Sequence, residues 1–181
     1  MRVHALLSGS RANGPGLRSV CWFQFCPLHC VGCINPETWD WDGGYEEDVP
    51  HLAAQIVRES AEGTEGVTFS GGEPLAQPDA LYSLIRDIRN MRPSLSFGLF
   101  TGYARAELCK IPAWTAIRAT LDFAVMGRYD RSQPCNKPLV SSANQELVLL
   151  SNRYQLSDFP AQSEEVFIGP DGLCQITGFA R

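Results

Sequence analysis

Residues 67–100 read VTFSGGEPLAQPDALYSLIRDIRNMRPSLSFGLF, and this stretch decides the fold. Val67-Thr68-Phe69 is β-branched and aromatic and reads as a short strand. Pro78 opens a run in which Leu81, Leu84, Ile85 and Ile88 recur at helical spacing, so 78–91 reads as a helix with proline in its first turn. Residues 95–100 return to strand composition. Parallel neighbours need a crossover, and a helix between two strands supplies one.

The same rhythm continues on both sides. Residues 19–25 (SVCWFQF) read as an earlier strand, and 26–44 as a long loop rich in Pro, Gly, Trp and acid. Residues 49–60 carry Leu52, Ile56 and Val57 on one helical face. Downstream, 103–110 read as a short helix stopped near Pro112, and 120–126 and 147–150 as strands. Residues 165–168 and 173–177, joined through Gly169-Pro170-Asp171-Gly172, read as a closing β-hairpin. The segment up to Gly16 is Gly- and Ser-rich and ends in a turn at Asn13-Gly14-Pro15-Gly16. The expected class is α/β. A complete eight-unit barrel needs about 250 residues. The 181 residues here therefore predict one domain, 1–181, holding a partial, open parallel barrel or an open sheet.

Composition excludes several function classes. With 44% hydrophobic and 19% charged residues the chain is too apolar for disorder. A net charge of -5 argues against bulk binding of nucleic acid. No apolar run approaches the length of a membrane span, and Met1 to Ser10 has no signal-peptide core. Seven cysteines, an odd number, cannot all pair within the chain. The expectation is a reducing, cytoplasmic setting with the cysteines as thiols or metal ligands.

Cys26, Cys30 and Cys33 form C-x-x-x-C-x-x-C directly after the first strand. Three thiolates this close can converge on one metal centre. Spacing alone leaves two options open: zinc with His29 or a distant Cys as fourth ligand, or a 4Fe-4S cluster with one iron lacking a protein ligand. The second constellation is Ser70-Gly71-Gly72-Glu73-Pro74 at the end of a strand, where two glycines let backbone approach a ligand. Alone it reads as a tight turn. Paired with the three-cysteine loop it is specific.

On these two motifs the chain resembles the radical S-adenosylmethionine (SAM) superfamily. Within it, the chain resembles the activating proteins of anaerobic (class III) ribonucleotide reductase. The resemblance is carried by GPGLRSVCWFQFCPLHCVGCINPETWDWDGG (14–44), VTFSGGEPL (67–75), FTGYARAEL (100–108), LDFAVMGRYD (121–130), SANQELVLLSNRY (142–154) and ITGF (176–179). Gly32 before the last Cys fits this branch. Met126 departs from it, since relatives commonly carry an acid there, and Asp122 is the nearest alternative.

The resemblance implies that Cys26, Cys30 and Cys33 each hold one iron of a 4Fe-4S cluster, whose fourth iron SAM chelates through its amino and carboxylate groups. It implies reductive cleavage of SAM to a 5′-deoxyadenosyl radical, which installs a glycyl radical on a partner such as anaerobic ribonucleotide reductase. An electron donor such as flavodoxin or ferredoxin would supply the electron. Ser70, Gly71, Gly72 and Glu73 are expected at the methionine end of SAM, with Thr101 and Asn144 near its ribose or carboxylate. Val31 and Ile34 flank the last Cys and are candidates for packing near the adenine. No side chain is assigned as catalytic, because cluster and SAM carry the chemistry. Other readings are a small radical SAM enzyme acting on a peptide or small molecule, and a non-catalytic iron-sulfur or zinc protein. Cys21, Cys109, Cys135 and Cys174 are expected to be free thiols, with Cys21 in the core. Glu37, Asp40, Asp42, Glu46, Glu47 and Asp48, interleaved with Trp39, Trp41 and Tyr45, read as a solvated loop or as a partner-docking surface.

Overall fold

A computed structural model describes residues 1–159, 161–168, 172 and 174–179. Its strands are β1 (Arg2–Ser10), β2 (Arg18–Phe23), β3 (Tyr45–Glu46), β4 (Gly66–Gly71), β5 (Ser96–Thr101), β6 (Phe123–Met126), β7 (Pro134–Lys137), β8 (Val140–Ser142), β9 (Glu146–Leu149), β10 (Glu164–Ile168) and β11 (Cys174–Gly178). Its α-helices are α1 (Val49–Glu59), α2 (Pro78–Met91), α3 (Arg105–Leu108) and α4 (Trp114–Arg118).

The main sheet has seven strands in the order β3-β1-β2-β4-β5-β6-β9. The central four, β2, β4, β5 and β6, run parallel. β1 and β9 flank them antiparallel, and β3 adds a short edge. α2 joins β4 to β5, and α1 lies in the β2-to-β4 connection. α1 buries Leu52, Ala53 and Ile56, and α2 buries Leu81, Leu84, Ile85 and Ile88. They cover Phe23, Phe69, Phe97 and Leu99 of the sheet, all inaccessible to solvent. A smaller cluster on the other side gathers Phe123, Val125, Leu139, Val140 and Phe159. β6 supplies both: Phe123 and Val125 face one way, Ala124 and Met126 the other. Among the described residues no helix is long and apolar enough to cross a membrane.

The mixed α/β class and the parallel strands match the sequence reading. β1 departs from it: the N-terminal segment is a nine-residue strand, not a Gly/Ser-rich lead-in to a turn. Register shifts between Val3 and Ala5 and between Leu7 and Ser10 break its period-two pattern, which hid the strand. The helix expected at 103–110 is one turn, Arg105–Leu108, and α4 and the β7–β8 pair are additional elements. β6 starts at Phe123, later than expected, because Leu121 closes a turn after α4. β10 and β11 pair antiparallel. The connecting Gly169-Pro170-Asp171 and residue Leu173 lie outside the described residues.

Candidate functional site

β2 delivers the chain to the C-terminal edge of the parallel strands, where ligands of such sheets sit. Past Phe23 the backbone turns at Phe25, which takes a left-handed φ of 82°. Gln24 is fully buried and pins the loop: its amide donates to the carbonyls of Glu37 at 3.1 Å and Asp40 at 2.7 Å. The loop closes on itself, Phe25 N–H donating to Thr38 O at 2.8 Å and Cys26 N–H to Trp39 O at 3.2 Å. Inside it, His29 (φ 43°) and Gly32 (φ 75°) bend the chain, and Cys33 N–H reaches Cys30 O at 3.0 Å.

β4 brings the second motif alongside. Gly72 N–H donates to Phe23 O and Glu73 N–H to Phe25 O, each at 2.8 Å, so the two motifs share one run of backbone. The glycines are required by space. Gly71 has φ 99°, and a Cβ there would stand 2.5 Å from Phe23 N. A Cβ on Gly72 would meet Phe25 O.

Glu73 is wholly buried, and its carboxylate turns away from solvent into the strand ends. It accepts from Leu75 N–H at 2.9 Å, Thr101 Oγ1–H at 2.9 Å and Gly102 N–H at 2.7 Å. The group therefore bolts the end of β4 to the end of β5. Burial pushes its carboxyl up to about 7, against the pull of the three donors.

Cys26, Cys30 and Cys33 all line one cavity of about 650 Å³. Ser70, Gly71, Gly72, Glu73, Thr101 and Gly102 form its β4–β5 wall. Burial raises the Cys26 and Cys30 thiols, while N–H groups of Leu28 and His29 oppose this at Cys26 and that of Tyr129 at Cys30. Such donors stabilise thiolate sulfur. Among the described residues no three His, Cys, Asp or Glu side chains converge on a single-ion site. The three thiols border a cavity instead. His29 is outside that lining, its ring 4.8 Å from the ring of Trp39.

Asn144 is not brought to the cavity: it is exposed and its amide donates to Arg128 O at 2.8 Å. Its neighbour Gln145 and the half-buried Ser141 are there instead. Thr101 lines the wall, but its hydroxyl is committed to Glu73. Ile34 lines the cavity, whereas Val31 is 87% exposed and outside the lining. Met126 faces the core, so an acid at that position would point away from the cavity, and Asp122 is spent on Phe97 N–H and Ser151. Cys21 is in the core, where burial drives its thiol up to about 12. Cys109, Cys135 and Cys174 are also outside the lining. In the acidic stretch, Trp41 is half exposed with its ring edge-on to Phe25, and the carbonyls of Glu37 and Asp40 are anchored by Gln24.

Sequence reasoning assigned no site role to three contributors: Asn13, Gln145 and the β11 run Ile176-Thr177-Gly178-Phe179. They lay in a turn signal and in stretches that carried the resemblance, but nothing local showed that they would reach the cavity. The described lining includes Glu37 and Glu164, with Glu73 turned into the strand ends, and no Lys, Arg or His. Glu37 and Glu164 suit a cationic ligand, and SAM, with its sulfonium and ammonium, is one. Three thiols with no fourth Cys and no His among the described lining likewise suit a cluster with an open iron. The residues present fit both groups.

Residues 12–148 match the model of the 4Fe-4S single cluster domain. The chain is 40% identical over 88 residues to a pyruvate formate-lyase-activating enzyme of Clostridium pasteurianum, covering 47% of this chain and 37% of that one. It is 27% identical over 137 residues to the anaerobic ribonucleoside-triphosphate reductase-activating protein of Vibrio cholerae, covering 74% of this chain and 87% of that one. The chain thus spans about a third of the pyruvate formate-lyase activating enzymes it matches. The structure of QueE from Escherichia coli aligns with a TM-score of 0.48 at 17% identity, over 56% of this chain and 52% of that one. The family and the relatives imply an iron-sulfur cluster and SAM as cofactors. The chain belongs to the 4Fe-4S single cluster domain family, and its named relatives are activating proteins of pyruvate formate-lyase and of anaerobic ribonucleoside-triphosphate reductase.

Proposed function

We propose that this protein is an activating enzyme that installs a glycyl radical on a partner protein. One observation carries the reading: three cysteines and the Ser-Gly-Gly-Glu edge border a single cavity whose described lining holds carboxylates and no cation. Cys26, Cys30 and Cys33 would hold a 4Fe-4S cluster. Bound there, cluster and SAM would supply one-electron reductive chemistry able to take a hydrogen atom from a glycine.

The chain's residues bind, orient and exclude. Backbone carbonyls of Ser70, Gly71 and Gly72 would receive the SAM ammonium group. Glu73 serves this edge as a positioning residue, because its oxygens are already occupied by Leu75, Thr101 and Gly102. Thr101 does the same through its bond to Glu73. Gln145 shapes the wall with its amide held by Ser141 N–H, Ser142 N–H and Gly127 O, which leaves Ser141 a nearer candidate than Asn144 for ligand contact. Phe100, Val125 and Phe179 furnish apolar wall that keeps water from the reacting atoms. A single domain built as an open, partial barrel would leave the mouth free to admit a loop of another protein. A flavodoxin- or ferredoxin-type donor would provide the electron.

The test is electron paramagnetic resonance on the anaerobically reconstituted protein. It is mixed with SAM, a reductant and either anaerobic ribonucleoside-triphosphate reductase or pyruvate formate-lyase. A glycyl radical signal in one of the two is expected. Vigorous SAM cleavage with no protein radical in either would favour a small-molecule or peptide substrate instead.

A further inference from the structure

The β10–β11 ribbon is built inside out. Residues on one of its faces are Glu165, Phe167, Gln175 and Thr177, and this face is partly or wholly covered. It is tied by polar bonds to the β1–β2 connection. The Glu165 carboxylate accepts from Ser10 Oγ–H and from the N–H groups of Arg11 and Ala12, and Asn13 Nδ2–H donates to Thr177 Oγ1 at 2.8 Å. The opposite face points to solvent and is the apolar one: Val166 is 58% exposed, Ile168 75% and Ile176 62%. Val166 and Ile176 are direct cross-strand partners, so these side chains form one patch. A ribbon left to itself buries its apolar side. A patch turned outward and bordered by an acid marks an interaction surface.

What covers it follows from where it leads. Glu164, Ile176 and Gly178 belong both to this face and to the cavity lining. From Glu164 to Ile168 the face runs about 13 Å outward from the mouth, beyond the reach of a ligand held inside. Ile34, 61% exposed, also lines the cavity. The rim carries Glu37 and Glu164, with no basic residue among the described lining.

We infer that the outward face of the β10–β11 ribbon seats an apolar segment of the partner polypeptide, next to the glycine that the partner presents to the cavity, with a basic residue of that segment meeting Glu164. This rests on the activase reading, since it takes the hydrogen donor to be backbone of a protein. Whatever flanks such a glycine must cross this rim, and the ribbon is its extended apolar sector.

The double variant Val166→Thr, Ile168→Thr tests it. Threonine keeps β-branching and strand preference, and neither position lines the cavity. Three quantities are measured for wild type and variant: partner-free SAM cleavage, glycyl radical formation against the concentration of each full-length partner, anaerobic ribonucleoside-triphosphate reductase and pyruvate formate-lyase, and sedimentation of the chain alone. Partner-free cleavage and sedimentation are expected to be unchanged, while the KM for the partner rises about tenfold. An unchanged KM overturns the inference and leaves the activase reading standing. A wild-type dimer that the variant dissolves overturns it too, assigning the face to a second copy. If the wild type cleaves SAM yet radicalises no partner, the activase reading falls and this inference falls with it.

Discussion

Glu73 is a buried carboxylate at the point where the two halves of the site are joined. Its folded carboxyl holds a proton up to about 7, whereas an unfolded chain releases it near 4.3. Between those values the folded state binds the extra proton, so stability falls as pH rises and levels off above the upper value. The effect is about 2–3 kcal/mol. Melting of the cluster-free protein is therefore expected to drop by about 4–10 °C from pH 5 to pH 7.5. Glu73→Gln, which has nothing to titrate, is expected to flatten that slope, and equal slopes in both proteins would place the titration elsewhere. The sequence showed that Glu73 belongs to the site. It could not show that the side chain faces the strand ends, because Thr101 and Gly102 are 28 and 29 residues away in sequence. Asn144 and Gln145 make the same point: adjacent polar residues in a loop look alike until the backbone aims one of them.

At the scale of elements, what was legible followed from local pattern. α1 and α2 were readable because their apolar residues recur at helical spacing behind a proline. The Cys loop and the glycine edge were readable because each is a compact motif. β1 was not, because its bulges disturb the alternation. The inverted ribbon was placed as a pair of strands, but its facing depends on Ser10 to Asn13, at the other end of the chain. The glycine edge gives a prediction at this scale. Gly71→Ala must fit a Cβ against Phe23 N at a φ of 99°, and is expected to weaken SAM binding by at least about tenfold in equilibrium titration. Gly63→Ala is the control: its φ is also left-handed, at 78°, but nothing stands within 4 Å. It is expected to cost only about 1 kcal/mol of stability and to leave SAM binding intact.

Across the whole molecule the sheet has two ends with separate duties. The cavity occupies the C-terminal end of the parallel strands. At the opposite end lies Arg18, a guanidinium with no solvent exposure. It donates to Thr68 Oγ1, Pro15 O, Ser96 Oγ, Val67 O and Ser96 O, and stands 5.1 Å from the centre of the Phe123 ring. No carboxylate pairs with it among the described residues. Burial draws its pKa down from the ordinary value. It joins the starts of β2, β4 and β5, and nothing in the local sequence marked it. Arg18→Ala leaves a cavity and several acceptors without donors, costing about 3 kcal/mol and about 6–12 °C of melting temperature. Because it is remote from the cysteines, cleavage of SAM by that variant is expected to persist at low temperature. Normal stability in Arg18→Ala would show that the network is dispensable.

Cys26, Cys30 and Cys33 would together hold a cluster with one iron open to SAM. Anaerobic reconstitution, followed by iron analysis and assay of 5′-deoxyadenosine with dithionite and SAM, tests it most directly. About four irons per chain are expected, with release of 5′-deoxyadenosine, loss of both in Cys30→Ala and retention of both in Cys135→Ala. A protein that takes up its irons but forms no 5′-deoxyadenosine, or a Cys30→Ala variant that still does, would contradict it.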